Sequence, residues 1–175
     1  MFSVLAVIVV IALLGLLAVA SQKPDIFRVE RSTVINAPPE NIFPHINELK
    51  RWAEWSPYEK KDPNMKRTFS GPPSGKGAAY AWDGNKNVGS GRMEITEAVP
   101  SSKVVMRLDF LKPFEAHNTA EFMLKPEGNA TRLTWAMFGP ATMMSKVMGT
   151  VMDMDKMVGG DFAVGLETLK KVVEG

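Results

Sequence analysis

From residue 103 onward the chain alternates. Val104, Met106, Leu108 and Phe110 stand against Lys103, Val105, Arg107 and Asp109. Period two predicts a strand covered on one face. The same parity runs through 114–125, where Ala116, Asn118, Ala120, Phe122 and Leu124 oppose Glu115, His117, Thr119, Glu121 and Lys125. In 131–138 Leu133, Trp135 and Met137 oppose Arg132, Thr134 and Ala136. Upstream, 77–83 puts Ala78, Tyr80 and Trp82 on one face, and 88–98 does so for Met93 and Ile95. A short strand over 66–70 and a first strand over 26–35 complete the set. Asp83–Asn87 and Glu127–Asn129 carry residues that tight turns favour.

After residue 157 the period changes. Val158, Phe162, Leu166, Leu169 and Val173 recur at steps of three and four, with Asp161, Glu167, Lys170 and Lys171 largely on the other side. That predicts a long amphipathic C-terminal helix. Between the first strand and the meander, Asn36–Glu40 reads as a turn and helix start, followed by a short helix bearing Ile42, Phe43 and Ile46. Pro44 is acceptable there only near the helix start. A second helical or irregular piece spans 47–58 and holds Trp52, Trp55 and Tyr58 beside Pro57. It reads either as a structural plug or as Trp52 or Trp55 at the mouth of a pocket. One-sided strands belong to an antiparallel sheet covered on a single side, so the order predicts an α+β layer in which a curved sheet grips the last helix.

The first residues stand apart. Phe2 to Ala20 carries no charged side chain, and about 19 residues at 1.5 Å each is close to the minimum for crossing a bilayer core. Ala18-Val19-Ala20 resembles a signal cleavage site, but the segment lacks a basic start and is long for a cleaved signal. An uncleaved anchor through residues 2–20 is therefore preferred over a secretory signal. The division is a leader at 1–23 and a domain at 24–175. Lys23, Arg28 and Arg31 follow the span, which by the positive-inside rule favours a cytoplasmic domain. A cleaved signal would instead give a secreted or periplasmic one.

Composition removes several function classes. A net charge of +2 with interspersed signs leaves no basic stripe for nucleic acid. The absence of cysteine removes disulfides, thiolate zinc sites and cysteine nucleophiles. His45 and His117 are far apart and form no metal-binding motif, so neither metal nor cofactor is expected; His45, next to Pro44 on the short helix, reads as a surface or capping residue.

Particular words in the chain carry a resemblance: residues 34–40 (Val-Ile-Asn-Ala-Pro-Pro-Glu), 52–57 (Trp-Ala-Glu-Trp-Ser-Pro), 89–93 (Gly-Ser-Gly-Arg-Met) and 161–170 (Asp-Phe-Ala-Val-Gly-Leu-Glu-Thr-Leu-Lys). Over roughly residues 27–174 the chain resembles the START-like (SRPBCC) superfamily, in its polyketide cyclase/dehydrase and lipid transport branch. The resemblance implies a helix-grip fold: about seven antiparallel strands around a long C-terminal helix, two short helices after the first strand, and a deep apolar cavity. It supplies no universal catalytic motif.

The strand parities then name the expected cavity lining. From the strands come Tyr80, Trp82, Met93, Met106, Leu108 and Phe110, then Asn118, Phe122, Trp135 and Met137. Phe162, Leu166 and Leu169 close it from the helix. Apolar walls with a few polar points suit a small-molecule site, though the same faces are what a filled core requires. Asn118 and Tyr80 offer polar points whose partners are either ligand or protein. The carboxylates Glu94, Asp109, Glu115 and Glu121 fall outward, and His117 with them. Asp153 and Asp155 read as caps of the last helix. The methionine-rich stretch 143–157 is the candidate gate, centred on Met143, Met144 and Met148; its alternatives are ordinary packing, or a short helix over 141–151 dipping into the bilayer surface near the anchor. The favoured function is binding of a hydrophobic small molecule or lipid at a membrane, in transport or sensing. The alternatives are a cyclase- or dehydrase-type enzyme on a polyketide-like substrate and a ligand-free interaction module.

Overall fold

The computed structural model describes residues 2–175; Met1, where the expected leader begins, and the side chains of Phe2 and Ser3 lie outside the described residues. The alternating segments become β1 (Ile26–Ile35), β2 (Lys66–Ser70), β3 (Ala79–Asp83), β4 (Ser90–Val99), β5 (Lys103–Lys112), β6 (Ala116–Glu127) and β7 (Ala130–Pro140). They form one antiparallel sheet of order β1-β7-β6-β5-β4-β3-β2. Every neighbour follows in sequence except β1, which returns to pair with β7, Ile26 opposite Pro140 and Ile35 opposite Thr131. A register shift between Ile95 and Glu97 interrupts the ladder of β4, the kind of irregularity that bends a strand.

The pairing also fixes which strand ends lie together. Ile26 meets Pro140, Phe110 meets Ala116, Ser90 meets Lys112 and Asp83 meets Ser90. The start of β1, the end of β7, the β5–β6 hairpin tip and the β3–β4 turn therefore share one end of the sheet. The turns at 100–102 and 128–129 occupy the other.

The helical elements are α1 (Phe2–Ser21), α2 (Pro39–Asn47), a 3-10 turn (Leu49–Glu54), α3 (Pro57–Lys61), α4 (Met143–Val151) and α5 (Met154–Glu174). The expected second helical piece thus divides into the 3-10 turn and α3. Phe162, Leu166 and Leu169 of α5 are buried against the sheet, as their spacing predicts. Asp153 is the N-cap and accepts from the Lys156 amide at 2.9 Å, whereas Asp155 pairs with Arg31 at 2.8 Å. Thr33 to Glu167 at 3.1 Å and the Asn36 amide to Glu174 at 2.6 Å extend this seam, clamping α5 along β1. Gly165 permits the approach of α5: a Cβ there would lie 2.9 Å from Trp135 Cζ3 and 3.0 Å from Pro57 Cδ.

Pro44 sits in the second turn of α2, further in than expected, so the helix forgoes the amide bond to the Glu40 carbonyl. The end of α2 is closed by tryptophan. The Trp55 indole donates to the His45 carbonyl at 2.9 Å and the Trp52 indole to the Ile46 carbonyl at 3.1 Å. These are carbonyls that a helix end leaves without partners. The spacing of the two tryptophans therefore has a structural cause. Both rings pack against Phe122 and Trp135 at centroid distances from 5.5 to 6.2 Å. His45 is buried, against the expectation of a surface or capping role. Its Nε2 accepts from Arg51 at 3.1 Å, which leaves the proton on Nδ1, 3.0 Å from Glu54. Burial, reinforced by Arg51, holds this imidazole's pKa below its ordinary value.

Helix α1 has 20 residues, about 30 Å of helix and enough to span a hydrocarbon core. Its large apolar side chains from Val4 to Val19 are mostly exposed rather than packed in a core. It packs against α4, and from Val4 onward only Leu16 and Ala20, near its C-terminal end, are shielded from solvent. Ala20 is buried there, Lys23 Nζ donates to the Gly149 carbonyl, and buried Lys146 reaches Asp25 at 2.6 Å. The Ala141 amide also donates to the Asp25 carbonyl at 2.8 Å.

Candidate functional site

A cavity of about 420 Å³ lies between α5 and the sheet. Its wall takes Tyr80 and Trp82 from β3, Met93 from β4, and Met106, Leu108 and Phe110 from β5. Ala120, Trp135 and Met137 continue it across β6 and β7, and Phe162, Val158, Met157 and Met154 close it from α5. Trp52 and Met65 also line it. The rim runs through the 86–89 turn, Lys112 and Pro113, with Lys61 and Asp161 also lining the cavity. The 86–89 turn and the β5–β6 hairpin place the opening at the sheet end where β1 starts.

The space has a local origin. The far half of the concave face is filled by α2, the 3-10 turn and their tryptophans, which stop at Trp52. Beyond it, Ala120 contributes a small side chain between its cross-strand neighbours Met106 and Met137. Trp82 lies over Gly91, where a Cβ would come within 2.5 Å of its ring, and its indole donates to the Val88 carbonyl at 3.1 Å.

One polar chain enters this wall. The Tyr80 hydroxyl donates to Glu59 Oε1 at 2.7 Å, and Arg67 Nε donates to Glu59 Oε2 at 2.7 Å. The Glu59 side chain is only 9% exposed. Burial, and next the bond to Glu59, push the Tyr80 hydroxyl well above the ordinary tyrosine range. Burial does the same to Tyr58, with Asp161 adding to it. Lys61 pairs with Asp161 at 2.6 Å and sits 5.4 Å from the Tyr58 ring centroid. Trp135, stacked on Phe162 at 4.0 Å, keeps a buried indole N–H without an acceptor.

Ten of the residues expected from strand and helix parity reach the cavity: Tyr80, Trp82, Met93, Met106, Leu108, Phe110, Trp135, Met137, Phe162 and the small Ala120. Phe122, Leu166 and Leu169 instead pack in the filled half, which the tryptophans occupy. Asn118 is buried but lies over Gly139, whose missing Cβ leaves room for its side chain. Met143, Met144 and Met148 are on α4 beside α1, away from the wall; Met154 and Met157 border the cavity in their place. Glu94, Asp109 and His117 do face outward, where Asp109 bonds Arg107 at 3.0 Å and His117 at 2.8 Å. Trp52, Tyr58, Glu59, Lys61 and Lys86 escaped the strand parity because they lie on short helices and turns, and Lys112 because it ends β5 at the rim. Met154 and Val158 extend the Phe162 stripe backward at four-residue steps, so the sequence did hold a signal for them. Among the described residues, no cluster of three or more His, Cys, Asp or Glu side chains could hold a metal ion.

Solved structures share this architecture. Protein CV1439 from Chromobacterium violaceum aligns with a TM-score of 0.60 at 15% identity, covering 87% of this chain and 99% of its own. Protein SA2116 from Staphylococcus aureus, described as of unknown function, aligns with a TM-score of 0.63 at 15% identity, covering 85% and 94%. The di-domain aromatase/cyclase StfQ from the steffimycin biosynthetic pathway aligns at 0.63 and 13% identity, covering 85% of this chain and 51% of that one. At such identities the likeness shows the fold alone. No curated protein matches the chain. The family model described as polyketide cyclase / dehydrase and lipid transport, however, matches residues 27–174, and the chain belongs to that family.

Proposed function

We propose that the protein binds a hydrophobic small molecule or lipid in this cavity while α1 holds it at a membrane. The observation that carries the reading is an open cavity of about 420 Å³ whose wall is mostly apolar. That volume lies within the range of small-molecule sites, about 300–1,000 Å³. Transfer of apolar area from water to such a wall contributes roughly 25 cal/mol per Å². The polar points, Tyr80 and the unpartnered Trp135 indole, then orient rather than drive binding. In this reading residues 1–23 are the anchor and 24–175 the binding domain. The gating role read in the sequence for Met143, Met144 and Met148 passes to Met154 and Met157. The cavity also weighs against a ligand-free interaction module, which needs none.

Native mass spectrometry of the full chain released from detergent micelles tests this. One retained apolar molecule per chain, exchangeable against added fatty acids or isoprenoids, is the expected result. A chain that never carries such a mass under any of these conditions refutes it.

A second reading, cyclase- or dehydrase-type chemistry, has one observation in its favour: the buried Tyr80–Glu59–Arg67 chain at the wall. It requires turnover of a polyketide-like substrate that Tyr80→Phe abolishes while the fold survives. Unchanged turnover in that variant excludes Tyr80 from the chemistry.

A further inference from the structure

We infer that the sheet end from which α1 departs rests on the bilayer, so that the cavity opens onto the boundary between lipid headgroups and acyl chains. The inference rests on the reading of α1 as a membrane span. Only Gln22 to Asp25 separate α1 from β1. Even fully extended, the Cα–Cα steps from Ser21 to Ile26 reach roughly 17 Å, at about 3.5 Å per step. The link is not left extended: Lys23 bonds Gly149, and Asp25 is held by Lys146 and by the Ala141 amide. The start of β1 is thereby fastened beside the membrane, and strand pairing brings the 86–89 turn and the β5–β6 tip to the same end.

What projects from that end suits a lipid surface. Leu111 and Phe114 at the β5–β6 tip are 58% and 56% exposed, and Val151 on α4 is 73% exposed. Met144 and Met152 are exposed on and just after α4, and Met154 continues the apolar surface to the rim. Large apolar side chains exposed together around an opening mark an interaction surface rather than ordinary solvent exposure. Flexible, polarisable methionines and an aromatic ring suit the disordered acyl boundary. The lysine ion pairs of the described residues involve Lys61, Lys103, Lys146 and Lys170, leaving Lys86 and Lys112 on the rim for anionic headgroups. The opposite end turns through Pro100–Ser102 and Glu127–Asn129, which are mostly polar, and its exposed large apolar side chains, Val99 at 40% and Phe69 at 39% among them, are less exposed than those at the β5–β6 tip and on α4. A bilayer is the one partner that the anchor already places against this surface.

The absence of cysteine makes the test direct, because a single introduced cysteine carries the only label. The full chain is placed in nanodiscs of equal parts phosphatidylcholine and phosphatidylglycerol containing doxyl-labelled lipid. An environment-sensitive fluorophore is attached in turn at Phe114→Cys, Leu111→Cys, Met144→Cys, Asn129→Cys and, within the span, Leu13→Cys. Quenching at 111, 114 and 144 several-fold above that at 129 is expected, with position 13 quenched most. If 13 is quenched but 111, 114 and 144 match 129, the docking is overturned and the anchor stands. If 13 itself is unquenched, the anchor reading fails and the docking falls with it. Two labels on the same hairpin keep the outcome independent of any one variant's folding.

Discussion

Substituting Ala120 with leucine separates a cavity from a filled core by the sign of the stability change. Ala120 is 5% exposed, lies between Met106 and Met137 across the strands, and forms part of the cavity wall. Leucine adds three carbons, worth at most ~2.4 kcal/mol at about 0.8 kcal/mol for each fully buried CH₂. The cavity is open, so part of that area stays wet and a gain of about 1–2 kcal/mol is expected. Forcing the same atoms into a close-packed core would instead cost roughly 1–3 kcal/mol. For a chain of this size 1 kcal/mol moves Tm by about 2–4 °C, so the alternatives lie on opposite sides of the wild type. Thermal unfolding of the full chain in nanodiscs, followed by tryptophan fluorescence, reads the sign. Native mass spectrometry of the same sample reads ligand retention. A raised Tm with most of the retained ligand lost is the expected pair. A lowered Tm with retention unchanged would refute both the space at Ala120 and its place in the binding site.

Three further outcomes follow from the packing and the titrating groups. Trp55→Phe strands the His45 carbonyl in the core and should cost about 2–4 kcal/mol, combining roughly 1–3 for the lost partner with the smaller ring; a urea midpoint equal to wild type would disprove the indole cap. Tyr58 and Tyr80 ionise only above the ordinary tyrosine pKa of 10.0, so above pH 10 the unfolded chain releases their protons before the folded one does. Stability should therefore fall as pH rises from about 10, and the fall should be shallower in Tyr58→Phe when denaturation is compared on both sides of that pH. His45 has the opposite sense: its folded pKa lies below 6.5, so the unfolded chain takes up the proton first and stability falls as pH drops below that value. Replacement by glutamine should flatten this acid limb in pH-dependent denaturation, and an unchanged limb would exclude His45 as its source.

Strand parity was legible because from β3 to β7 one face of the sheet is largely turned away from solvent. Period two separates Met106 from Arg107 whether the buried side meets protein or empty space. For the same reason it could not separate Met106, in the cavity wall, from Phe122, in the filled half. That division depends on where Trp52 and Trp55 cap α2, a tertiary event with no period. Asn118 shows the limit in another way, since parity placed it inward but its room comes from Gly139 on the neighbouring strand. The methionines were legible as an apolar, adaptable group. Their separation into an anchor-facing α4 and a cavity-facing start of α5 rests on the Lys146–Asp25 pair, which joins residues remote in sequence. No local pattern announces it.

The return of β1 to the far edge of the meander bears on how the chain is assembled. Its two partners, β7 and α5, come after every other strand and helix of the domain in chain order. Ile35 waits for Thr131, roughly a hundred residues later, which at 5–20 residues per second is on the order of 5–20 s of synthesis. Throughout that interval a ten-residue strand with free edges stands beside the newly made apolar helix α1. The domain therefore closes only once α5 has been made. A chain cut short within α5 would lack part of the seam that holds β1, and the domain's first and last elements stand or fall as one cooperative unit.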